Sequence, residues 1–310
     1  MISDHGEHLT RSRYFYALGL LLLSSLLWAS VEVLGELLPP GTSPYQTVWM
    51  RYFTHLLFML VVFGPRFRTR LVRTSRLKLQ LFRSLLMLGM PFFYIQAILS
   101  AHMTLKNVNA IFWIAPLLVI GLAVFILREP VSPNRWFATL IACGGAMILL
   151  RPDRGIITIN ALLPLGMALC FSLYRVLTRE LRTDNSITNL FYTAFGVFFP
   201  LTLLIPLFWQ SLTLETLMPM VTIGLVGFAA LFFVDKAYEA APASVLAPFI
   251  YSELICYVVL RLFLGHYLPL GSSLLGATIL FAACLYLVYS DTRNMPRHAP
   301  LPVSGSAAGN

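Results

Sequence analysis

The chain has 310 residues, of which 58% are hydrophobic and only 11% are charged, and its mean hydropathy is +0.78. A soluble domain carries about a quarter of its residues as charged side chains, so this composition excludes a soluble enzyme and indicates a membrane protein. The formal net charge is +9. Its densest basic run, at residues 66–83, lies in a short loop between two apolar stretches, which argues against nucleic-acid binding.

Ten apolar stretches of about twenty residues follow one another along the chain, and an α-helix needs that length to cross a bilayer. In chain order, the predicted spans are 14–36, 45–63, 80–101, 108–127, 136–150, 160–178, 187–208, 217–235, 244–264 and 270–289. Because each half holds an odd number of spans, a second half with the same fold must enter the membrane from the opposite side. The sequence therefore predicts an all-α integral membrane fold with ten transmembrane helices as two five-helix inverted repeats.

The positions of Lys and Arg predict the side of the membrane on which each loop lies. If the run at 66–83 is cytoplasmic and the sides alternate, seventeen Lys and Arg residues lie inside, including Arg83 and Arg175. Three lie outside, namely Lys106, Arg151 and Arg154. This asymmetry is the positive-inside pattern. It predicts a multi-pass protein of the cytoplasmic (inner) membrane with both termini cytoplasmic.

Four segments are predicted: a cytoplasmic N-terminus at 1–13, two repeats at 14–150 and 160–290, and a disordered cytoplasmic tail at 291–310. The four cysteines fall within spans and have no CxxC spacing, so no disulfide framework or zinc site is predicted. The sequence has no P-loop, HExxH or GxSxG motif, so no catalytic residue, metal or cofactor is expected. Any active transport must therefore draw on an ion or substrate gradient.

Charged side chains within the spans raise the functional question, because each is costly in hydrocarbon and must face protein or water. Glu32 and Arg51 lie at similar depths on consecutive antiparallel spans, where they can pair directly. Such a pair is either structural or part of a gate or substrate site. His55 lies one turn from Arg51 and either extends this network, shuttles a proton or packs as a hydrogen-bonded core residue.

Glu253 lies near the middle of the ninth span, with Tyr257 and Arg261 on the same helix face. A carboxylate at that depth suits proton coupling or binding of a substrate ammonium. The alternative is a protonated group that packs two helices together. Three further charged residues are expected to form a cytoplasmic gate or a solvated helix end after the eighth span: Asp235, Lys236 and Glu239.

Aromatic residues and prolines complete the predicted site. Aromatic side chains on several spans either stack against a planar or cationic substrate or line the lipid interface. They are Trp28, Tyr94, Trp113, Tyr174, Tyr192 and Tyr251. Pro116 and Pro248 interrupt spans four and nine, and because proline removes a helix hydrogen-bond donor, both positions are predicted hinges.

Two segments carry a family resemblance. The first half contains NAIFWIAPLLVIGLAVFILREPVSPNRWFATLIACGGAMILLRP and the second contains AYEAAPASVLAPFIYSELICYVVLRLFLGHYLPLGSSLLGA. They resemble the two EamA repeats of the drug/metabolite transporter superfamily and are similar to its branch of riboflavin and S-adenosylmethionine carriers. The matching positions are Pro116-Leu117, Glu129, Arg135-Trp136, Gly144-Gly145 and Arg151-Pro152 in the first repeat, and Ala240-Ala241-Pro242, Pro248-Phe249, Tyr251 and Pro269 in the second. His266 stands where the second repeat usually has an acidic residue.

The resemblance implies a secondary transporter that alternates access to a central cavity between its two halves. The leading expectation is export of a small polar, amino-acid-like metabolite. The alternative is uptake of a vitamin or nucleoside-like compound such as riboflavin or S-adenosylmethionine. The expected partners are the metabolite and the lipid bilayer, with protons as one candidate coupling ion and no nucleic acid. A channel is expected to show a repeated selectivity filter or a ring of like charges, and an integral-membrane enzyme a cluster of catalytic groups; the sequence has neither pattern.

Overall fold

The computed structural model describes residues 9–153, 156–265 and 271–294. Within these ranges the chain is helical and has no β-strand, which confirms the all-α prediction. The ten described helices are α1 (Arg11–Glu36), α2 (Pro44–Leu71), α3 (Leu77–Leu99), α4 (Leu105–Leu127), α5 (Pro133–Leu150), α6 (Ile159–Glu180), α7 (Ser186–Leu207), α8 (Leu214–Ala240), α9 (Ala243–Phe263) and α10 (Gly271–Asn294). Nine of these described helices are long and apolar enough to cross a membrane, and α5 is shorter, with 18 residues and a polar first turn.

Short polar residues determine where several helices begin. Their side-chain oxygens accept a hydrogen bond from a backbone N–H of the first turn, where no carbonyl within the helix is available. These N-cap residues are Thr10, Ser43, Thr104, Asn185 and Thr213. Because Thr10 caps α1, this helix begins at Arg11, three residues before the predicted start of the first span.

The last helix extends further than expected. α10 continues through Asn294, so residues 291–294, which the sequence assigns to the tail, are helical. Asp291 lies within the helix and forms an ion pair of 2.8 Å with Arg135 of α5, which ties the two helix ends together. The remaining tail, together with His266 and Pro269, lies outside the described residues.

Two helices are interrupted near the prolines that the sequence singles out. In α4, an α-helical segment ends at Phe112 and a second begins at Ala115, with Pro116 next to the break. In α9, the turn Ala247–Tyr251 has 3-10 geometry and contains Pro248. Proline has no N–H to donate to the carbonyl four residues earlier, so the regular ladder is lost at both places. Whether these breaks act as hinges stays a prediction.

The winding also changes at the far ends of two helices in the first repeat. α2 passes from α-helix into π-helical geometry at Met59–Phe63, then through a short α-helical turn (Gly64–Phe67) and a 3-10 turn (Arg68–Leu71). α4 ends in a π-helical segment at Ala123–Leu127. Insertions of this kind occur as local bulges in α-helices and alter which side chains face a neighbouring helix.

The helices pack with a twofold pattern in which each helix of the first repeat corresponds to the helix five places later. α1 packs against α8, and its counterpart α6 packs against α3. In the same way, α2 against α8 corresponds to α7 against α3, and α1 against α9 corresponds to α6 against α4. α2 and α7 are counterparts of each other and pack together, and so are α5 and α10. The ten described helices therefore form two five-helix inverted repeats, as the sequence predicts.

Glycines permit the closest helix crossings, and two of these crossings are equivalent under the twofold pattern. A Cβ atom built on Gly224 of α8 would lie 2.6 Å from the Thr54 Cβ of α2. At the equivalent α7–α3 crossing, Gly196 faces Ser84 just as closely. Small residues at such positions let helix backbones approach in a bilayer, where packing rather than the hydrophobic effect drives association.

The α5–α10 crossing supplies a matched test of this packing. A Cβ at Gly276 would lie 2.6 Å from both the carbonyl oxygen of Gly145 and the backbone nitrogen of Leu149. Because backbone cannot move aside, Gly276→Ala is expected to cost about 1–3 kcal/mol of unfolding free energy, measured as a lower melting temperature in detergent. Gly144 meets nothing within 4 Å, so Gly144→Ala should leave the melting temperature unchanged or raise it. Equal melting temperatures for the two variants would contradict this account.

Candidate functional site

Polar side chains within the bundle form two groups at different depths. The central group lies on α1, α2, α3 and α9 and comprises Trp28, Glu32, Arg51, Tyr52, Tyr94 and Glu253. The basic-end group lies on α3, α6 and α8, nearer the α2–α3 loop with its arginines, and comprises Arg83, Arg175, Asp235 and Tyr238. The sequence predicts every member of the central group except Tyr52. For the charged residues of the basic-end group, the sequence instead predicts positions in loops, at a cytoplasmic gate or at a solvated helix end.

Arg51 is held by aromatic rings. Its guanidinium lies 4.8 Å from the ring centroid of Trp28 and 4.9 Å from that of Tyr52, and it donates a 2.9 Å hydrogen bond to the Tyr52 hydroxyl. Gly227 of α8 leaves room for this side chain, since a Cβ there would lie 3.5 Å from the Arg51 Nε. Although both residues are described, no ion pair joins Arg51 to Glu32, so the direct pairing suggested by the sequence is not found. Cation–π contacts position the arginine instead.

The two carboxyl groups of the central group, on α1 and α9, lie close enough to interact electrostatically. Glu32 is exposed. Its carboxyl group interacts electrostatically with Arg51 on α2, Tyr94 on α3 and Glu253 on α9. Neighbours on three other helices place the exposed carboxylate toward the bundle interior. Glu253 is half-buried, and within the described chain it makes no hydrogen bond or ion pair. Its charged neighbours are Glu32 and Arg175.

His55 lies deeper than the central group, in the α2–α8 contact. It is 1% exposed and packs edge-on against the Phe228 ring, with ring centroids 4.9 Å apart. The Tyr52 ring lies 6.1 Å away on another side. Among the described residues, its Nε2 atom has no hydrogen-bond partner. The structure thus surrounds His55 mainly with rings.

Trp113 and Tyr251 join the two helix breaks to each other. The Tyr251 hydroxyl donates a 2.9 Å hydrogen bond to the Trp113 carbonyl, and the two rings stack with centroids 5.9 Å apart. The Trp113 carbonyl is free for this bond because the Leu117 N–H donates to Ile114 instead. Both aromatic residues are buried, and they connect α4 to α9 beside Pro116 and Pro248.

Tyr174 and Tyr192 lie toward the basic end, apart from Glu253. The ring of Tyr174 lies 4.9 Å from the guanidinium carbon of Arg83. The Tyr192 hydroxyl donates a 2.7 Å hydrogen bond to the Val72 carbonyl, which holds the α2–α3 loop against α7. Tyr192 therefore does not belong to the central group, whereas Tyr174 lies between the two groups, near Tyr52 as well as Arg83.

Tyr257 and Arg261 face the opposite end of the bundle. Both bind Glu36 at the end of α1: the Tyr257 hydroxyl donates a 2.8 Å hydrogen bond, and the Arg261 guanidinium forms an ion pair. Glu253, Tyr257 and Arg261 share one face of α9. This face extends from the central group to the contact with Glu36, which joins α9 to α1.

Arg83 is a fully buried cation whose two terminal nitrogens are both paired, whereas its Nε atom has no hydrogen-bond partner among the described residues. It donates hydrogen bonds to Thr178 Oγ1 (2.9 Å), the Asn189 carbonyl (2.7 Å) and Thr193 Oγ1 (2.8 Å). Its Nη1 lies 3.6 Å from the Asp235 carboxylate, which is 2% exposed. The expectation of a solvated helix end is therefore wrong for Asp235. The network ties α3 to α6, α7 and α8.

Glu129, one of the residues that carry the family resemblance, has a structural position. Its carboxylate accepts hydrogen bonds of 3.0 and 2.7 Å from the backbone N–H groups of Ala243 and Ser244, and so caps the start of α9. Arg179 lies 3.9 Å from the same carboxylate and donates to the Tyr238 carbonyl. An anion at a helix N-terminus also matches the positive end of the helix dipole.

A helical spacing of polar residues is the signal that reveals the basic-end group. In the first half of α3, three polar residues turn inward, Gln80, Arg83 and Ser84, at the three- and four-residue spacing of one helix face. Such a polar stripe in an otherwise apolar span indicates side chains that pair inside a bundle.

Among the described residues, no cluster of three His, Cys, Asp or Glu side chains is suited to hold a metal ion.

Comparison with known proteins identifies transporters as relatives. Residues 15–151 match the EamA-like transporter family. Over 285 residues the chain is 26% identical to a protein of Rickettsia bellii named S-adenosylmethionine uptake transporter, and the match covers 92% of this chain and 97% of that protein. It is also 29% identical over 173 residues to the riboflavin transporter of Vibrio cholerae, covering 55% of this chain and 58% of the relative.

A solved crystal structure shares the fold. It superposes with a TM-score of 0.77 at 16% sequence identity, and the match covers 89% of this chain and 97% of the other. At this identity the likeness concerns the arrangement of the helices and not the substrate.

Proposed function

We propose that the chain is a secondary carrier for a zwitterionic, amino-acid-like metabolite. The match of residues 15–151 to the EamA-like transporter family, together with relatives named as transporters, supports a multi-pass membrane transporter and not an enzyme. The proposed substrate bears cationic groups and a carboxylate, and S-adenosylmethionine is the first candidate because relatives that match most of the chain carry that name. The observation that carries the proposal is the pair of neighbouring carboxyl groups inside the bundle, Glu32 and Glu253, with Arg51 beside Glu32.

The charges and rings of the central group suit such a substrate. The central group has two carboxyl groups, Glu32 and Glu253, and one arginine, Arg51, so it offers acceptors for the cationic groups of a substrate. S-adenosylmethionine has a sulfonium and an ammonium group, one for each carboxylate. Trp28 and Tyr94 add aromatic faces, against which a purine or a cationic centre can stack.

The transport cycle follows from the two repeats. Glu32 is exposed toward the interior, whereas Arg83 and Asp235 are buried at the basic end, so the described conformation is closed at the basic end. In the proposed cycle, bending at the breaks beside Pro116 and Pro248 closes the opposite end and opens the basic end around the bound substrate. Gradients of the substrate and of a coupled ion, with protons as a candidate, drive the cycle. The relatives' names favour uptake over the export of an amino-acid-like metabolite expected from the sequence.

Counterflow in proteoliposomes tests the proposal. Vesicles that contain the full chain and are loaded with unlabelled S-adenosylmethionine should accumulate the labelled compound from outside, with saturable kinetics and well above protein-free vesicles. Riboflavin is the second candidate because of the partial match to a riboflavin transporter and the aromatic side chains of the site. Accumulation of riboflavin alone would transfer the assignment to that substrate. Flux that rises linearly with concentration would contradict a carrier.

The proposed orientation places both termini and the basic end in the cytoplasm, following the positive-inside pattern. Reporter fusions after Ser75, Val131 and Met295 should therefore behave as cytoplasmic, and one near Arg154 as external. A cytoplasmic signal near Arg154 would overturn this topology.

A further inference from the structure

Arg175 is a buried cation that the protein does not pair. It is 4% exposed, and among the described residues neither its Nε nor its Nη1 atom has a hydrogen-bond partner. Its guanidinium is held against rings, 4.6 Å from the centroid of Phe171 and 5.9 Å from that of Tyr238. The other buried arginines of the described chain differ: Arg83 has three hydrogen bonds and an ion pair, and Arg135 pairs with Asp291 at 2.8 Å.

Within the basic-end group, the arginines outnumber the carboxyl groups by one. The basic-end group holds two arginines, Arg83 and Arg175, against the single carboxylate of Asp235, which lies 3.6 Å from Arg83. Of the other acids near this group, Glu129 caps α9 and Glu239 pairs with Lys236. Glu253 of the central group interacts with Arg175 electrostatically but forms no ion pair of 4.0 Å or less with it among the described residues. A charge removed from water is costly unless it is paired, so an anion from outside the chain fits this position.

A second donor lies beside Arg175. Tyr238 is 0% exposed, and within the described chain its hydroxyl has no hydrogen-bond partner. The charged neighbours of Arg175 are Asp235, toward the basic end, and Glu253 of the central group. The central group therefore has one carboxyl group more than arginines, and the basic-end group has one arginine more than carboxyl groups.

We propose that Arg175, with the Tyr238 hydroxyl, is the subsite for the carboxylate of the transported metabolite, while Glu253 and Glu32 receive its cationic groups. This inference rests on the proposed function and deepens it. A planar guanidinium matches a carboxylate through paired N–H donors, and one excess charge matches one carboxylate. The arrangement selects α-amino-acid metabolites over amines of the same shape.

The test compares S-adenosylmethionine with its decarboxylated analogue as competitors of counterflow in proteoliposomes. A site built to hydrogen-bond a group rejects the analogue that lacks it, so the wild type should prefer the acid by about tenfold or more. Arg175→Met should reduce this preference to within about twofold, and Tyr238→Phe should reduce it in part. Arg182→Met removes a charge from the exposed loop after α6 and should keep the wild-type preference.

Thermal unfolding of the substrate-free variants separates binding from structure. An unpaired buried cation contributes little to stability, so Arg175→Met should melt no lower than Arg182→Met. A much lower melting temperature would show that Arg175 supports the fold and would overturn the inference. An unchanged preference for the acid in Arg175→Met would also overturn it and leave the proposed function standing. If the wild type transports neither compound, the proposed function fails and this inference falls with it.

Discussion

Replacing Glu253 with glutamine is expected to reduce gradient-driven transport by on the order of a hundredfold, if the carboxylate transfers a proton or binds the substrate cation. Glutamine keeps the shape and hydrogen-bonding capacity of the side chain but cannot ionise. Within the described chain Glu253 makes no hydrogen bond or ion pair, so the substitution removes no structural contact. Proteoliposome uptake under an imposed pH gradient measures the effect, and any residual exchange should no longer depend on pH.

Two further variants sharpen this result. Glu253→Asp keeps the ionisable group and should retain part of the activity. Glu215→Gln removes a carboxylate from the exposed first turn of α8 and should transport as the wild type does. If Glu253→Gln is folded and keeps wild-type rates and the wild-type pH profile, Glu253 is a packing residue and not part of the site.

Loss of Arg83 is expected to have the largest effect on stability. Arg83→Met leaves the buried Asp235 without its ion-pair partner and removes three hydrogen bonds that join α3 to α6 and α7. Breaking one side of a buried pair typically costs about 3–5 kcal/mol, because the remaining charge stays buried. Thermal unfolding of the purified protein in detergent should show a large drop in melting temperature and a low yield of folded protein.

The exposed pair between Arg76 and Glu180 is the matched control. Its N–O distance is 3.2 Å, and both side chains are 41% exposed. Exposed ion pairs contribute about 0–1 kcal/mol, so Arg76→Met should change stability little. The double variant Arg83→Met/Asp235→Leu should recover part of the loss, since it removes both charges. Purely additive losses would show that Arg83 and Asp235 act independently.

The sequence alone predicts the ten spans, because the thickness of the hydrocarbon layer sets the length of an apolar helix. It also predicts where α4 and α9 are interrupted, because a proline cannot complete the hydrogen-bond ladder. Helix ends depend on finer features. α10 continues past its apolar stretch to Asp291, which pairs with Arg135 on another helix. No local sequence pattern indicates that partner.

The central group shows what can be predicted about a site. Glu32, Arg51 and Glu253 stand out because an isolated charge within an apolar run is visible in the sequence. Their contacts are not visible. Arg51 turns toward the rings of Trp28, on a neighbouring helix, and of Tyr52, the next residue of its own helix.

By itself the sequence determined the membrane-spanning class, the number of helices and the charges at mid-span, since each follows from hydropathy along a single helix. Only the tertiary structure decided that Arg83, Arg175 and Asp235 are interior residues. They lie about one to two turns from the ends of their helices, where a charge reaches water unless other helices cover it. The packing of α3, α6 and α8 provides that cover, and it depends on contacts between residues far apart in the chain.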